Sequence, residues 1–284
     1  ETIEAKLKAP KPLVKPANLA DGLSSGSTLV NLLCTGRPDA AFVRGSYYVL
    51  IGDSDSGKSV LSLSVFAEAT INRAFDGYRL IYDGPEFGAT ESLRRKFFGD
   101  ATDRVEQPAE SGPSSTIEEF YFNLDDALNG GKPFVYVLDS MDALSSESER
   151  EKFAERKAAN RKGRDAAGSY GDGKAKVNSS GIRQALNGLK KSGSILIVVN
   201  QTRDNIGFTA MRQPKTRSGG HAMIFYADMQ LWTSVRERIK KVVKGTKVRL
   251  GTRCLIQMKR DRVEPPAQES VEIPIYFKSG VDDV

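Results

Sequence analysis

The sequence runs to 284 residues with 39% hydrophobic and 27% charged side chains, ordinary values for a soluble chain built around one large core. No apolar run nears the roughly 20 residues that a membrane-spanning helix needs, and two cysteines, Cys34 and Cys254, are too few for a disulfide framework or a Cys-rich zinc module. The balance of 42 basic against 36 acidic residues, a net charge of +6, permits a polyanionic partner without requiring one.

Residues 1–20 set Pro10, Pro12 and Pro16 among Lys6, Lys8, Lys11 and Lys15, and are expected to form an extended arm, because proline disfavours helix interiors and central strands alike. The chain begins with Glu1 and no apolar stretch follows, which reads as a trimmed chain with structural thiols in a reducing cytoplasm rather than a secreted one.

Residues 21–284 read as one α/β core. Apolar strand-like runs fall at 46–52, 78–83, 134–139, 194–200 and 228–233. A helix over 59–75, with Leu61, Val65 and Phe66 at helical spacing, and another over 182–191 lead into later strands. This alternation predicts a mostly parallel central sheet flanked by helices. Two polar stretches, 145–180 with Gly163, Gly168, Gly171, Gly173 and Gly181, and 205–220 with Gly207, Pro214, Gly219 and Gly220, are expected to be loops. Runs at 246–258 and 271–277, around a Pro265–Pro266 turn, predict an antiparallel C-terminal extension of the sheet.

The sharpest local signal is Gly52-Asp53-Ser54-Asp55-Ser56-Gly57-Lys58-Ser59, a match to G-x-x-x-x-G-K-[ST] between a strand and a helix that Val60 continues. Glycines let the backbone turn its N–H groups towards phosphate, and the following helix directs its positive end to the same place. Lys58 supplies charge for the β- and γ-phosphates of ATP, and the Ser59 hydroxyl is a ligand for Mg²⁺. Asp53 and Asp55 are unexpected there, since carboxylates repel a triphosphate. Asp139, at the end of the apolar run 134–139, is the candidate second metal-site carboxylate. For activating water the first choice is Glu86, with Asp83 as the alternative.

Beyond this motif the residues resemble the RecA family of DNA recombinases from about Leu23 to Phe277. The resemblance is carried by Leu23-Ser-Ser-Gly-Ser27, the Walker-B-like Leu138-Asp-Ser-Met-Asp-Ala-Leu144, Asn200-Gln-Thr-Arg203, Ile206-Gly-Phe208, Ser218-Gly-Gly-His-Ala222 and Phe225-Tyr-Ala227. It implies a RecA-like P-loop NTPase fold and a DNA-dependent ATPase that forms filaments and promotes strand exchange. Its cofactors would be ATP and Mg²⁺, its partners single-stranded DNA and further copies of itself, and its place the DNA-associated cytoplasm, of the host if a phage encodes it.

By the same resemblance Gln201 senses the γ-phosphate. The stretch 145–180 becomes a first DNA loop, with Arg161, Lys162 and Arg164 among its cations. The stretch 202–220 becomes a second, in which Arg203, Arg212, Lys215 and Arg217 meet phosphates while Ile206, Phe208 or Met211 either wedges between bases or packs on the core. Lys259 and Arg262 would act on the ATP of a neighbouring subunit. Three departures from the family mark a divergent member: Leu93 and Arg94 stand where an adenine-stacking aromatic belongs, the segment after Asp139 is long, and the N-terminal arm lacks a folded helical domain. His221 suits either a structural hydrogen bond or a nucleotide contact. A hexameric helicase and an ATP-binding mediator with weak hydrolysis are the competing readings.

Overall fold

A computed structural model describes residues 22–86, 103–161, 173–204, 215–217, 221–261 and 269–283. The elements follow in chain order: β1 (Gly22–Leu23), α1 (Thr28–Thr35), β2 (Phe42–Val43), β3 (Tyr47–Gly52), α2 (Lys58–Ile71), β4 (Arg79–Asp83) and β5 (Val105–Glu106). Next come α3 (Ile117–Asn129), β6 (Phe134–Leu138), α4 (Glu147–Arg161), α5 (Gly173–Ser192), β7 (Ile195–Asp204), β8 (Lys215–Arg217) and α6 (His221–Tyr226). The strands β9 (Met229–Val243), β10 (Thr246–Asp261), β11 (Ser270–Tyr276) and β12 (Gly280–Val281) close the order. None of the described helices is long and apolar enough to cross a membrane.

One ten-stranded sheet orders its strands β12-β11-β10-β9-β3-β7-β6-β4-β5, with β8 against β7. From β5 to β9 neighbours run parallel, and from β9 to β12 antiparallel. This is the expected α/β architecture with its antiparallel extension. Helices lie on both faces, so central strands are buried on both sides and appear in sequence as continuous apolar runs. In β3, Tyr48 and Leu50 enter the layer that holds Leu61, Val65 and Phe66 of α2, while Tyr47, Val49 and Ile51 enter the opposite layer with Phe120 of α3 and Ile182 of α5.

Local chemistry sets the helix ends. Thr116 and Glu119 form a reciprocal capping box at the start of α3, which buries Ile117, Phe120, Leu124 and Ala127. The expected helix over 59–75 stops at Ile71, where Asn72 accepts from the Ala74 N–H and starts a short 3₁₀ turn.

The stretch 145–180 needs correction: it is helical over Glu147–Arg161 and again from Gly173. The first helix buries no residue and stands on helix-forming Glu, Arg, Lys and Ala. The second is held by a stripe of buried Asn178, Ile182, Ala185 and Leu189 that runs back past the predicted start. Gly181, expected to punctuate a loop, is a packing site instead, since a Cβ there would lie 2.4 Å from Tyr121 Cγ of α3.

Two strands also outrun expectation. β9 continues past Thr233 to Val243 and returns as β10 through Lys244 and Gly245, both at positive φ (48° and 79°), as a tight two-residue hairpin turn demands. β7 runs on through Thr202 to Asp204 and pairs antiparallel with Lys215–Arg217, so the second polar stretch is rooted in a hairpin. The arm at 1–20 and the Pro265–Pro266 turn lie outside the described residues.

Candidate functional site

The turn at 52–59 lies at the carboxyl end of β3, between β7 and β9, where the crevice of a parallel sheet opens. Packing fixes both of its glycines. A Cβ on Gly52 would stand 2.2 Å from Thr233 Oγ1, and one on Gly57, at φ 85°, would stand 2.2 Å from Ile275 Cδ1. The helix α2 that follows starts with no side-chain cap hydrogen bond, which leaves its first N–H groups and positive end to an anion.

Lys58 is buried, its Nζ donating to the Asp53 carbonyl at 2.6 Å and to Ser56 Oγ at 3.5 Å. Ser56 Oγ in turn meets Thr233 Oγ1 at 2.6 Å. Burial holds the ammonium below its ordinary pKa, and the carboxylates of Asp139, Asp53, Glu86 and Asp142 oppose that shift. Ser54 and Ser59 are exposed.

Asp139 directly follows β6 and is buried. Burial pushes its carboxyl up, while a hydrogen bond from the Ser59 hydroxyl pulls it back, and Tyr82 OH donates at 3.4 Å. Ser59 and Asp139 therefore stand together as hard oxygen groups. That pairing suits Mg²⁺, which takes one or two protein oxygens and completes its shell with water and phosphate. Among the described residues there is no group of three or more His, Cys, Asp or Glu that could hold a metal unaided.

Glu86 and Gln201 come together. Glu86 Oε1 accepts from the Ser140 hydroxyl and from Gln201 Nε2 at 2.9 Å, and the Gln201 backbone N–H donates to Asp142 Oδ2 at 2.5 Å. Asp83 is differently employed. It is fully buried and accepts from Ser114 N–H at 2.8 Å, Ser114 Oγ at 2.6 Å and Tyr136 OH at 2.8 Å. It braces two segments, and Glu86 is the exposed carboxylate of the pair.

Each acid in the turn has a partner. The Asp53 carboxylate accepts from the Thr202 hydroxyl at the end of β7, and Asp55 accepts from Arg249 of β10 at 3.0 Å. A cavity of about 440 Å³ opens beside the turn, lined by Asp55, Ser56, Gly57, Lys58, Ser59 and Val60 on one side and by Thr252, Cys254, Ile275, Tyr276 and Phe277 on the other. Burial pushes the Cys254 thiol up to about 11, so it is a neutral wall. Tyr276 and Phe277 give the cavity an aromatic side, whereas Leu93 and Arg94 lie outside the described residues.

The other expected residues are not gathered here. Lys259 sits over the Trp232 ring, 3.7 Å from its centre. Arg161 is exposed at the end of α4, Arg203, Lys215 and Arg217 belong to the β7–β8 hairpin, and His221 opens α6. Lys162, Arg164, Ile206, Phe208, Met211, Arg212 and Arg262 lie outside the described residues. Sequence reasoning missed Asp142, Thr202, Thr233 and Arg249. Asp142 had a signal in its place three residues after Asp139, while the other three meet the site only through strand pairing.

A family model described as the RecA N-terminal domain matches residues 123–282, a span that begins beyond the turn at 52–59. The RecA protein of Chlorobium limicola is 28% identical over 242 residues, which cover 84% of this chain and 60% of that protein. The RecA protein of Helicobacter pylori is 28% identical over 277 residues, covering 94% and 69%. The crystal structure of the RadB recombinase has a TM-score of 0.59 at 16% identity and covers 92% of this chain and 99% of its own. The chain spans about 60% of the length of the first curated relatives it matches.

Proposed function

The chain belongs to the RecA N-terminal domain family, and from that premise we propose that it binds ATP with Mg²⁺ at the turn 52–59, hydrolyses it, and assembles on single-stranded DNA to promote homologous pairing and strand exchange. The observation that carries the reading is the hydrogen bond between Glu86 and Gln201, because it joins a carboxylate suited to activating water to the strand that runs on into the β7–β8 hairpin.

In this reading Lys58 leaves the Asp53 carbonyl for the β- and γ-phosphates, and α2 receives the phosphates on its first N–H groups. Ser59 and Asp139 hold Mg²⁺, which when bound neutralises charge on the phosphate oxygens. Glu86 orients a water and takes its proton. Gln201 exchanges its bond to Glu86 for one to the γ-phosphate, and the change passes along the backbone through Thr202 to the hairpin that carries Arg203, Lys215 and Arg217. Lys259 and Arg262 act on the site of a neighbouring copy.

A nucleic-acid partner is supported by the β9–β10 ribbon. Lys240 pairs with Arg249, Val242 with Lys247 and Arg238 with Thr252, and partners across an antiparallel ladder share a face. Alternation along β9 puts Arg238, Lys240 and Val242 on that same face. Arg238, Lys240 and Lys247 are exposed. A row of exposed cations along that face suits a phosphate backbone, with binding that is salt-sensitive and indifferent to sequence.

The test is ATP turnover with and without single-stranded DNA, with the same samples imaged by electron microscopy. DNA-stimulated turnover on helical filaments is the expected result. Rings would move the assignment to a translocase, and ATP binding without turnover to a mediator.

A further inference from the structure

Asp55 is an odd residue for a phosphate-binding turn. Its φ of 62° lies in the left-handed region, which aspartate tolerates better than most residues with a Cβ, but its carboxylate repels a triphosphate. The charge is met by one side chain from the root of the β9–β10 ribbon. Arg249 Nη1 donates to Asp55 Oδ2 at 3.0 Å, and Nη2 donates to Thr252 Oγ1 at 2.7 Å. Its guanidinium lies over the Phe277 ring, 4.9 Å from the centre. Asp55, Thr252 and Phe277 all line the 440 Å³ cavity, so Arg249 ties together three of its walls from behind.

We propose that Arg249 is a positioning residue that sets nucleotide affinity through Asp55, neutralising its carboxylate and holding the turn in the shape that presents Gly57 and Lys58 to phosphate. Lysine is an incomplete substitute, since it lacks the planar fork that reaches Asp55 and Thr252 at once while stacking on Phe277. The root of the cationic ribbon thus bears directly on the phosphate turn. The inference rests on the reading that ATP binds at this turn.

The test is a double-mutant cycle read by calorimetric titration of the full chain with ATP and Mg²⁺. Arg249→Ala in the native background should weaken binding about tenfold, with Arg249→Lys in between. In an Asp55→Gly background the same change should alter affinity less than about twofold, because glycine carries no charge and adopts positive φ freely. An equal loss in both backgrounds would overturn the proposal, because Arg249 would then act by another route. No loss in the native background would overturn it as well. Should Arg249→Ala fail to fold, Arg249→Gln enters the same cycle. Lys58→Ala separates the premises: binding abolished there but unaffected by Arg249→Ala removes only the positioning role, whereas full affinity in Lys58→Ala removes ATP from this turn altogether.

Discussion

Replacing Glu86 by glutamine keeps the shape of the side chain and removes its charge and its capacity to take a proton. Glu86 is exposed three residues beyond β4 and bonds to Ser140 and Gln201, not to the turn at 52–59. ATP affinity should therefore change little, while turnover loses the contribution of a general base, about 10²-fold or more. A hundredfold loss corresponds to about 2.7 kcal/mol of transition-state stabilisation. The retained amide oxygen can still accept from Ser140, so the fold around residues 139–142 should be kept. The assay is single-turnover hydrolysis at saturating ATP, with affinity measured separately on the same protein. Wild-type turnover in Glu86→Gln with binding intact would refute the assignment, and Asp83 could not inherit the role, since three protein donors already occupy its buried carboxylate.

Lys58→Ala should abolish measurable ATP binding in a calorimetric titration, since among the described residues no other cation lines the cavity beside the turn. Gly181→Ala should cost about 1–3 kcal/mol of stability by overpacking, because its Cβ would meet the Tyr121 ring at 2.4 Å; urea unfolding measures the loss. The Glu119 carboxyl is held below its ordinary value of 4.5, first by the Ser115 hydroxyl and then by the Ser115 N–H. A depressed carboxylate stabilises the fold above its unfolded pKa and loses that contribution as pH falls through the folded one, so Glu119→Gln should be less stable than wild type at pH 7 and the gap should close as pH falls below 4.5. Neutralising Lys240, Lys244 and Lys247 together should flatten the salt dependence of single-stranded DNA binding, by about 0.7 in log–log slope for each phosphate that is no longer neutralised.

The parallel strands were legible because burial on both faces writes them as unbroken apolar runs, as in Tyr136 to Leu138 and Ile195 to Val199. The phosphate turn was legible because its glycines and lysine carry chemistry at fixed spacing. The helix Glu147–Arg161 and the part of α5 before Ile182 were not. Glycine ordinarily marks loops, and only the ring of Tyr121 on another helix explains why Gly181 sits inside one. The β9–β10 ribbon hid its length for a similar reason: beyond Thr233 its residues face water, so the apolar signal stops while the backbone pairing continues to the Lys244–Gly245 turn. Arg249 and Thr202 were beyond reach of local pattern, because strand register alone brings them to Asp55 and Asp53.

The position of β3 also governs when the molecule can form. Its two neighbours enter the chain late, with Tyr47 paired to Leu196 and Tyr48 to Met229. A nascent polypeptide that has not yet delivered Met229 therefore holds a fully buried strand of the native sheet with an unpaired edge. Long-range pairing of this kind slows folding, since distant segments must meet before any contact rewards them. Synthesis of most of the core must precede assembly of the phosphate turn, and until then the unpaired edge between Tyr47 and Gly52 is open to aggregation and to chaperones.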